Sequence, residues 1–223
     1  MRAFASLLIA YLAMAAVSRA APEASAACVS HAIGVDISHS EGTIGSIFGQ
    51  SVGQTFLAAD TLIRSISVWK TQPACSCTAP VRLWVTHTDS TGKPLVHRPE
   101  HVVLKGPVAR VIGDSVTRAP VRVQYRFDPP LRLPRPGLYA LFAQDYCSVS
   151  YQAHVNRTGN LYPDGRLWRT TRSEGTGLPD CAIVGVFGWG YELYDMIFEV
   201  EFCRDVTTSS QKKTWGKLKT TYR

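Results

Sequence analysis

The chain has 223 residues, with 24 Lys and Arg against 17 Asp and Glu and a formal net charge of +7. That excess is local: residues 28–203 carry 16 basic and 15 acidic side chains, whereas residues 204–223 carry six basic and one acidic. A near-neutral body lacks the basic stripe expected of a nucleic-acid binder, so no nucleic-acid partner is expected.

The first element is an export signal. Arg2 is followed by an uncharged apolar run from Ala3 to Val17 and then by small residues around Ala20 and Ala27. This is the charged, greasy and small-residue order of a secretory signal peptide, assigned to residues 1–27. The run is shorter than the roughly 20 residues that a membrane span needs, so no span is expected. The mature protein is placed outside the reducing cytosol, secreted or at the cell surface or in a periplasm. There, Cys28, Cys75, Cys77, Cys147, Cys181 and Cys203 are expected to pair as disulfides, with connectivity left open. Cys75 and Cys77 are two apart, so on a strand they share a side and should bond different partners. Their spacing is not that of a zinc site. Ser25-Ala26-Ala27-Cys28 loosely resembles a lipidation site, but lipidating Cys28 would strand one of the other five cysteines.

The mature chain reads as strands. Leu62 to Val68 sets Ile66 and Val68 against Ser65 and Ser67. Val81, Leu83 and Val85 alternate with Arg82, Trp84 and Thr86. Weaker strands are expected at Val102 to Leu104 and Val108 to Ile112. Val121, Val123, Tyr125 and Phe127 alternate with Arg122, Gln124 and Arg126, the period of a half-buried strand. Asp128-Pro129-Pro130 reads as a turn, as do Pro134-Arg135-Pro136-Gly137, Pro163-Asp164-Gly165 and Leu178-Pro179-Asp180. Leu138 to Ala143 and Ala182 to Phe187 are continuously apolar, as in strands covered on both faces. Met196, Phe198, Val200 and Phe202 alternate with Ile197, Glu199 and Glu201. No window carries a capped helical period. Short strands with dense punctuation predict one all-β domain over residues 28–205, a sandwich or barrel. Residues 206–223 form a basic tail, read as a solvated segment or a weak anchor for anionic polymers.

Three segments carry a family resemblance. Gly49 to Phe56 followed by Leu62 to Trp69 resembles the opening of exported jelly-roll domains. Leu131 to Leu141, with Pro136-Gly137-Leu138-Tyr139, resembles their entry into a buried strand. Asn160 to Trp168, then Tyr194 to Val200, resembles their closing Tyr-x-x-Gly and Asp-hydrophobic-x-Phe-x-Val pattern. The resemblance implies a jelly-roll β-sandwich of two antiparallel sheets, akin to carbohydrate-binding and galactose-binding-like modules; the cysteines, from which disulfide bracing is expected, depart from the plain pattern of those modules.

The ligand surface is expected at Asp145, Tyr146, Tyr151, Tyr162, Asp164, Trp168, Trp189 and Tyr191. Aromatic rings pack on the C–H faces of sugars, and carboxylates hold their hydroxyls. The competing expectation is that Trp168 and Trp189 are packing residues. No cofactor is assigned. Structural calcium, with Asp36, Glu41 and Asp60 as oxygen donors, is left open, although no Asp-rich loop marks a site. No catalytic residue is assigned: the six histidines are scattered, and Glu192, Asp195, Glu199 and Glu201 fit the wet face of an alternating strand. Asn156-Arg157-Thr158 has the form of a glycosylation acceptor. The expected function is non-catalytic binding of carbohydrate or an anionic cell-surface polymer. The alternatives are a polysaccharide-active enzyme on the same fold and a structural envelope protein.

Overall fold

The computed structural model describes residues 28–45, 51–73, 78–96, 98–113, 119–145, 152–170, 186–187 and 193–205. The proposed signal segment, the basic tail, Cys75, Cys77, Cys147, Cys181 and residues 182–185 of the expected strand lie outside them. The described residues fall within one compact unit, Cys28–Asp205.

In chain order the strands are β1 (Cys28–Val35), β2 (Gly42–Gly45), β3 (Ser51–Ala58), β4 (Leu62–Thr71), β5 (Thr78–His87), β6 (Val102–Ile112) and β7 (Pro120–Arg132). They continue with β8 (Gly137–Asp145), β9 (Gln152–Asn156), β10 (Leu167–Thr170), β11 (Val186–Phe187), β12 (Asp195–Met196) and β13 (Phe198–Asp205). Among the described residues there is no α-helix, only 3₁₀ turns at Ile37–His39 and Pro99–His101. No described helix is long and apolar enough to cross a membrane.

The described strands form two antiparallel sheets. The seven-stranded sheet runs β1-β13-β4-β9-β12, with β7 also paired to β4 and β2 to β9. The six-stranded sheet runs β11-β10-β3-β8-β5-β6. Alternation decides what each buries. Ile66, Val68, Val200 and Phe202 of the first sheet meet Val52, Phe56, Leu83 and Leu141 of the second, all fully buried in one core. Removing each such side chain from water contributes about 1.5–3 kcal/mol. Tyr125 on β7 ties the layers directly, donating its hydroxyl to the carbonyl of Val81 on β5 at 2.7 Å.

Two sequence expectations change here. Asp128-Pro129-Pro130 is not a turn between strands but lies within β7. The register jumps there, from Leu131 opposite Ile63 to Arg126 opposite Ser65. Residues 127–130 form an irregularity, the setting in which a strand tolerates proline, since proline lacks a ladder donor. The segments at 102–104 and 108–112 are one strand, β6, which continues through Gly106 and Pro107 with a register shift against β5.

Of the cysteines, Cys28 and Cys203 are described. They lie on paired strands, with Cys203 opposite Ser30 and Cys28 opposite Asp205. Cys203 is not a free thiol.

Candidate functional site: a polar groove on the seven-stranded sheet

The alternation that sends Phe198, Val200 and Phe202 into the core turns Glu199 and Glu201 outward on β13. Register then aligns polar residues from three strands. Glu201 lies opposite Ser65, which lies opposite Arg126; Glu199 lies opposite Ser67, which lies opposite Gln124. Both serines are almost fully buried, at 1% and 0% exposure. They are the floor, and the longer side chains on either side stand over them.

These groups are hydrogen-bonded to one another. Ser65 donates to Glu201 at 2.9 Å, and Gln124 Nε2 reaches Ser65 Oγ at 3.4 Å. Arg126 Nε donates to Gln124 Oε1 at 3.0 Å. Arg122 is held three ways: Nε donates to Ser67 Oγ at 3.1 Å, Nη2 donates to Glu199, and the guanidinium stacks 5.4 Å from the ring centre of Trp69. Arg64 adds an ion pair to Glu201 at 3.6 Å. Above this network is an open groove of 440 Å³. Ser30, His31 and Ala32 of β1 form one side, Arg122 and Gln124 of β7 the other, and Glu199 and Glu201 lie between.

The aromatic residues expected to carry a ligand are placed differently. Tyr162 is 8% exposed and Trp168 is 7% exposed. The Tyr162 ring meets Phe198 edge-on at 5.3 Å, and its hydroxyl accepts the N–H of Leu57. Trp168 packs with Phe142, Trp84, Ala140 and Val96 on the six-stranded sheet. Both are packing residues, the role that large amphipathic rings commonly take. Asp164 is exposed, in the turn between β9 and β10. Asp145 ends β8, opposite Val81, and its side chain is not described. Tyr146, Tyr151, Trp189 and Tyr191 lie outside the described residues. The structure therefore brings no group of the expected aromatic residues together at an exposed surface among those it describes.

Asp195 is the sharpest correction. It is 1% exposed, not on the wet face of a strand. Gln54 Nε2 donates to Oδ1 at 3.1 Å, the Tyr162 N–H donates to Oδ2 at 3.0 Å, and the Leu161 N–H contributes as well. Gln54 Oε1 in turn accepts from Met196 N–H at 3.0 Å, which fixes the direction of the Gln54 amide. Burial nevertheless pushes the Asp195 carboxyl above its usual range. This knot joins β3, β12 and the 157–166 turn and is built for structure. Glu199 and Glu201 do face outward; Glu192 lies outside the described residues.

The three carboxylates considered for calcium are separately engaged. Asp36 caps the first 3₁₀ turn, and hydrogen bonds from the Ser38 side chain and from the Ser38 N–H, the latter at 2.9 Å, hold its carboxyl below the usual range. Glu41 accepts the Thr158 hydroxyl and the Arg157 N–H, with the same effect. Asp60 faces His31 and Arg204, each at 3.4 Å. Among the described residues no cluster of three or more His, Cys, Asp or Glu could hold a metal ion. Asn156 is 3% exposed and donates to the carbonyl of His39 at 3.3 Å, so the folded chain conceals its amide from glycosylation. His154 sits between Ser40 Oγ, 2.9 Å from Nδ1, and Thr71 Oγ1, 3.3 Å from Nε2, and burial lowers its pKa.

Sequence reading missed Arg122, Gln124, Ser65 and Ser67 as a group. The available signal was that Ser65/Ser67, Arg122/Gln124/Arg126 and Glu199/Glu201 each fill the polar phase of an alternating strand. Comparison with family models, curated proteins and solved structures returned no match.

Proposed function

We propose that the protein is an exported, disulfide-braced β-sandwich of jelly-roll type that binds carbohydrate without chemically altering it. The observation that carries this reading is the groove over β13, β4 and β7. Its amide, guanidinium and carboxylate groups are planar, closely spaced and already held in place by one another. Prefixed groups lose little freedom on binding, and hydroxyl-rich ligands offer partners to both donors and acceptors. The leader-like N-terminus and the six cysteines support an extracellular, cell-surface or periplasmic setting. The expected aromatic surface, with Tyr151, Trp189 and Tyr191, remains a second contact region in this proposal.

The enzyme reading has one observation in its favour: Glu199 and Glu201 are two apart on one strand and face the same groove. Each is engaged, Glu199 by Arg122 and Glu201 by Ser65 and Arg64, an arrangement suited to holding a ligand more than to delivering a proton. The test is retention of the mature protein in native gels containing soluble polysaccharides, alongside an assay for released reducing ends. Retention without release is expected, and the double variant Arg122→Ala/Gln124→Ala should lose retention. The Arg122–Glu199 pair is partly exposed, 44% and 38%, so its loss should cost no more than about 1 kcal/mol of stability. Full retention by a folded double variant removes the groove from the proposal, and release of reducing ends replaces binding with hydrolysis.

A further inference from the structure

Resting on that binding reading, we infer that the groove selects an uncharged, polyhydroxylated ligand and rejects polyanionic polymers. The reason is how charge is laid across the sheet. The β7 wall presents Arg122, but β13, on the far side of β4, presents Glu199 and Glu201 into the same space. Arg122 is in direct contact with Glu199, and Arg64 is paired with Glu201. A sulfate or carboxylate approaching Arg122 therefore approaches Glu199 as well, and like charges at that range repel. A cationic ligand meets the converse obstacle in Arg122 and Arg64.

A neutral hydroxyl has neither difficulty. It can donate to a glutamate oxygen and accept from Arg122 or Gln124, and hydrogen bonds to charged partners are the stronger kind. Ser30 adds a further hydroxyl on the β1 side of the groove. The serine floor matters for the same reason. Ser65 and Ser67 are short, so the longer residues lie down over them and are tied by hydrogen bonds before any ligand arrives.

The decisive perturbation removes both carboxylate charges while keeping side-chain size: Glu199→Gln with Glu201→Gln. The probes are neutral dextran, mannan, xylan and galactan, and polyanionic heparin and polygalacturonate, in native affinity gels at low and high salt. The mature full-length protein should be retained by at least one neutral polymer, with little effect of salt. The double Gln variant should bind that polymer about tenfold more weakly or worse, as loss of charge-assisted hydrogen bonds implies. Retention by a polyanion that salt abolishes and the double variant strengthens overturns the inference while leaving the binding reading intact. Retention by none of the six polymers overturns the binding reading and the inference with it. Should the double variant unfold, the exposed Ala32→Glu substitution, opposite Glu201, serves instead. Polyanions should stay unretained and neutral-polymer retention should stay insensitive to salt, and polyanion retention or neutral-polymer binding that tracks salt in that background overturns the inference.

Discussion

Gly53→Ala tests the register of the six-stranded sheet at its most crowded point. Gly53 on β3 lies opposite Phe142 on β8 and opposite Trp168 on β10. Phe142 lies opposite Trp84 on β5, so an aromatic row crosses four strands with the glycine inside it. A β-carbon on Gly53 would fall within 3.0 Å of the Leu141 carbonyl oxygen and of the Phe142 ring, whose Cε1 would be 2.7 Å away. The ring cannot easily yield, because Phe142 is fully buried among Trp84, Ala140 and Trp168. The carbonyl yields still less, being backbone in a hydrogen-bonded ladder.

Overpacking of this kind costs about 1–3 kcal/mol, and backbone displacement puts this case at the upper end. Against it stands the lower entropy of the unfolded alanine chain, about 0.4–1 kcal/mol. The net expectation is a loss of about 2–2.6 kcal/mol, or a melting temperature lower by roughly 4–10 °C for a domain of this size. Urea titration followed by tryptophan fluorescence measures it. Gly45→Ala is the control: its β-carbon would meet nothing nearer than Gln152 Cγ at 4.0 Å, so it should be neutral or slightly stabilising. In a Phe142→Ala background the cost of Gly53→Ala should shrink without vanishing, since the Leu141 carbonyl remains. If Gly53→Ala is as harmless as Gly45→Ala, the pairing of β3 with β8 is wrong.

Tyr125→Phe deletes the hydrogen bond that joins β7 to β5 across the sandwich and should cost about 1 kcal/mol, read from urea midpoints; no loss would mean that the link is idle. Burial raises the Asp195 carboxyl above its ordinary 3.8, so the folded state holds that proton more tightly than the unfolded chain does. Its contribution is full below 3.8 and is lost as pH rises through the folded value; the stability of the parent relative to Asp195→Asn should therefore fall over that window, and a rising difference would refute the assignment. His154 has the opposite sign: burial lowers it from 6.5, so its contribution is full above 6.5 and is lost as pH falls through the folded value. An imidazole NMR titration should give a midpoint below 6.5, and one above it would contradict the burial of His154 between Ser40 and Thr71.

Strands whose two faces differ are legible from residue order alone. β4, β5, β7, β8 and β13 announce themselves because side chains alternate or run apolar, and the sheet demands that pattern of them. β1, β2 and β9 do not. Their residues include His31, Gly34, Thr43 and His154; β1 and β2 lie at the sheet margins, whereas β9 lies inside, paired with β2, β4 and β12. β3 is buried along most of its length despite Ser51, Gln54 and Thr55. The side chains of Gln54 and Thr55 find partners in Asp195 and Arg166, both more than a hundred residues away in sequence, and Ser51 is held through its backbone N–H, which donates to Thr170 Oγ1. The Asp195 error has the same origin. A carboxylate ahead of an alternating strand looks solvated until one knows that Gln54, Tyr162 and Leu161 converge on it.

The groove shows why a proposed binding surface made from strands is harder to read than one made from loops. A projecting Trp-Gly or Tyr-Asp loop is contiguous, and its composition alone suggests contact with a ligand. The groove has no such segment. Glu199, Ser67 and Gln124 are ordinary wet-face residues in their own strands, and each by itself is explained by water. They become a site only because β13, β4 and β7 are adjacent in register, so that Arg122 finds Ser67 and Glu199 together. The informative residues are then the serines. A small polar side chain at 0–1% exposure on an outer sheet face means that its neighbours fold over it instead of extending into solvent. Folding over costs side-chain entropy, which the hydrogen bonds of Arg122, Gln124 and Glu201 offset within the folded protein. A face organised at that cost before any ligand arrives has its donors and acceptors already aimed, and this preorganisation makes the groove, more than the buried aromatic pair Tyr162 and Trp168, the place to look for recognition.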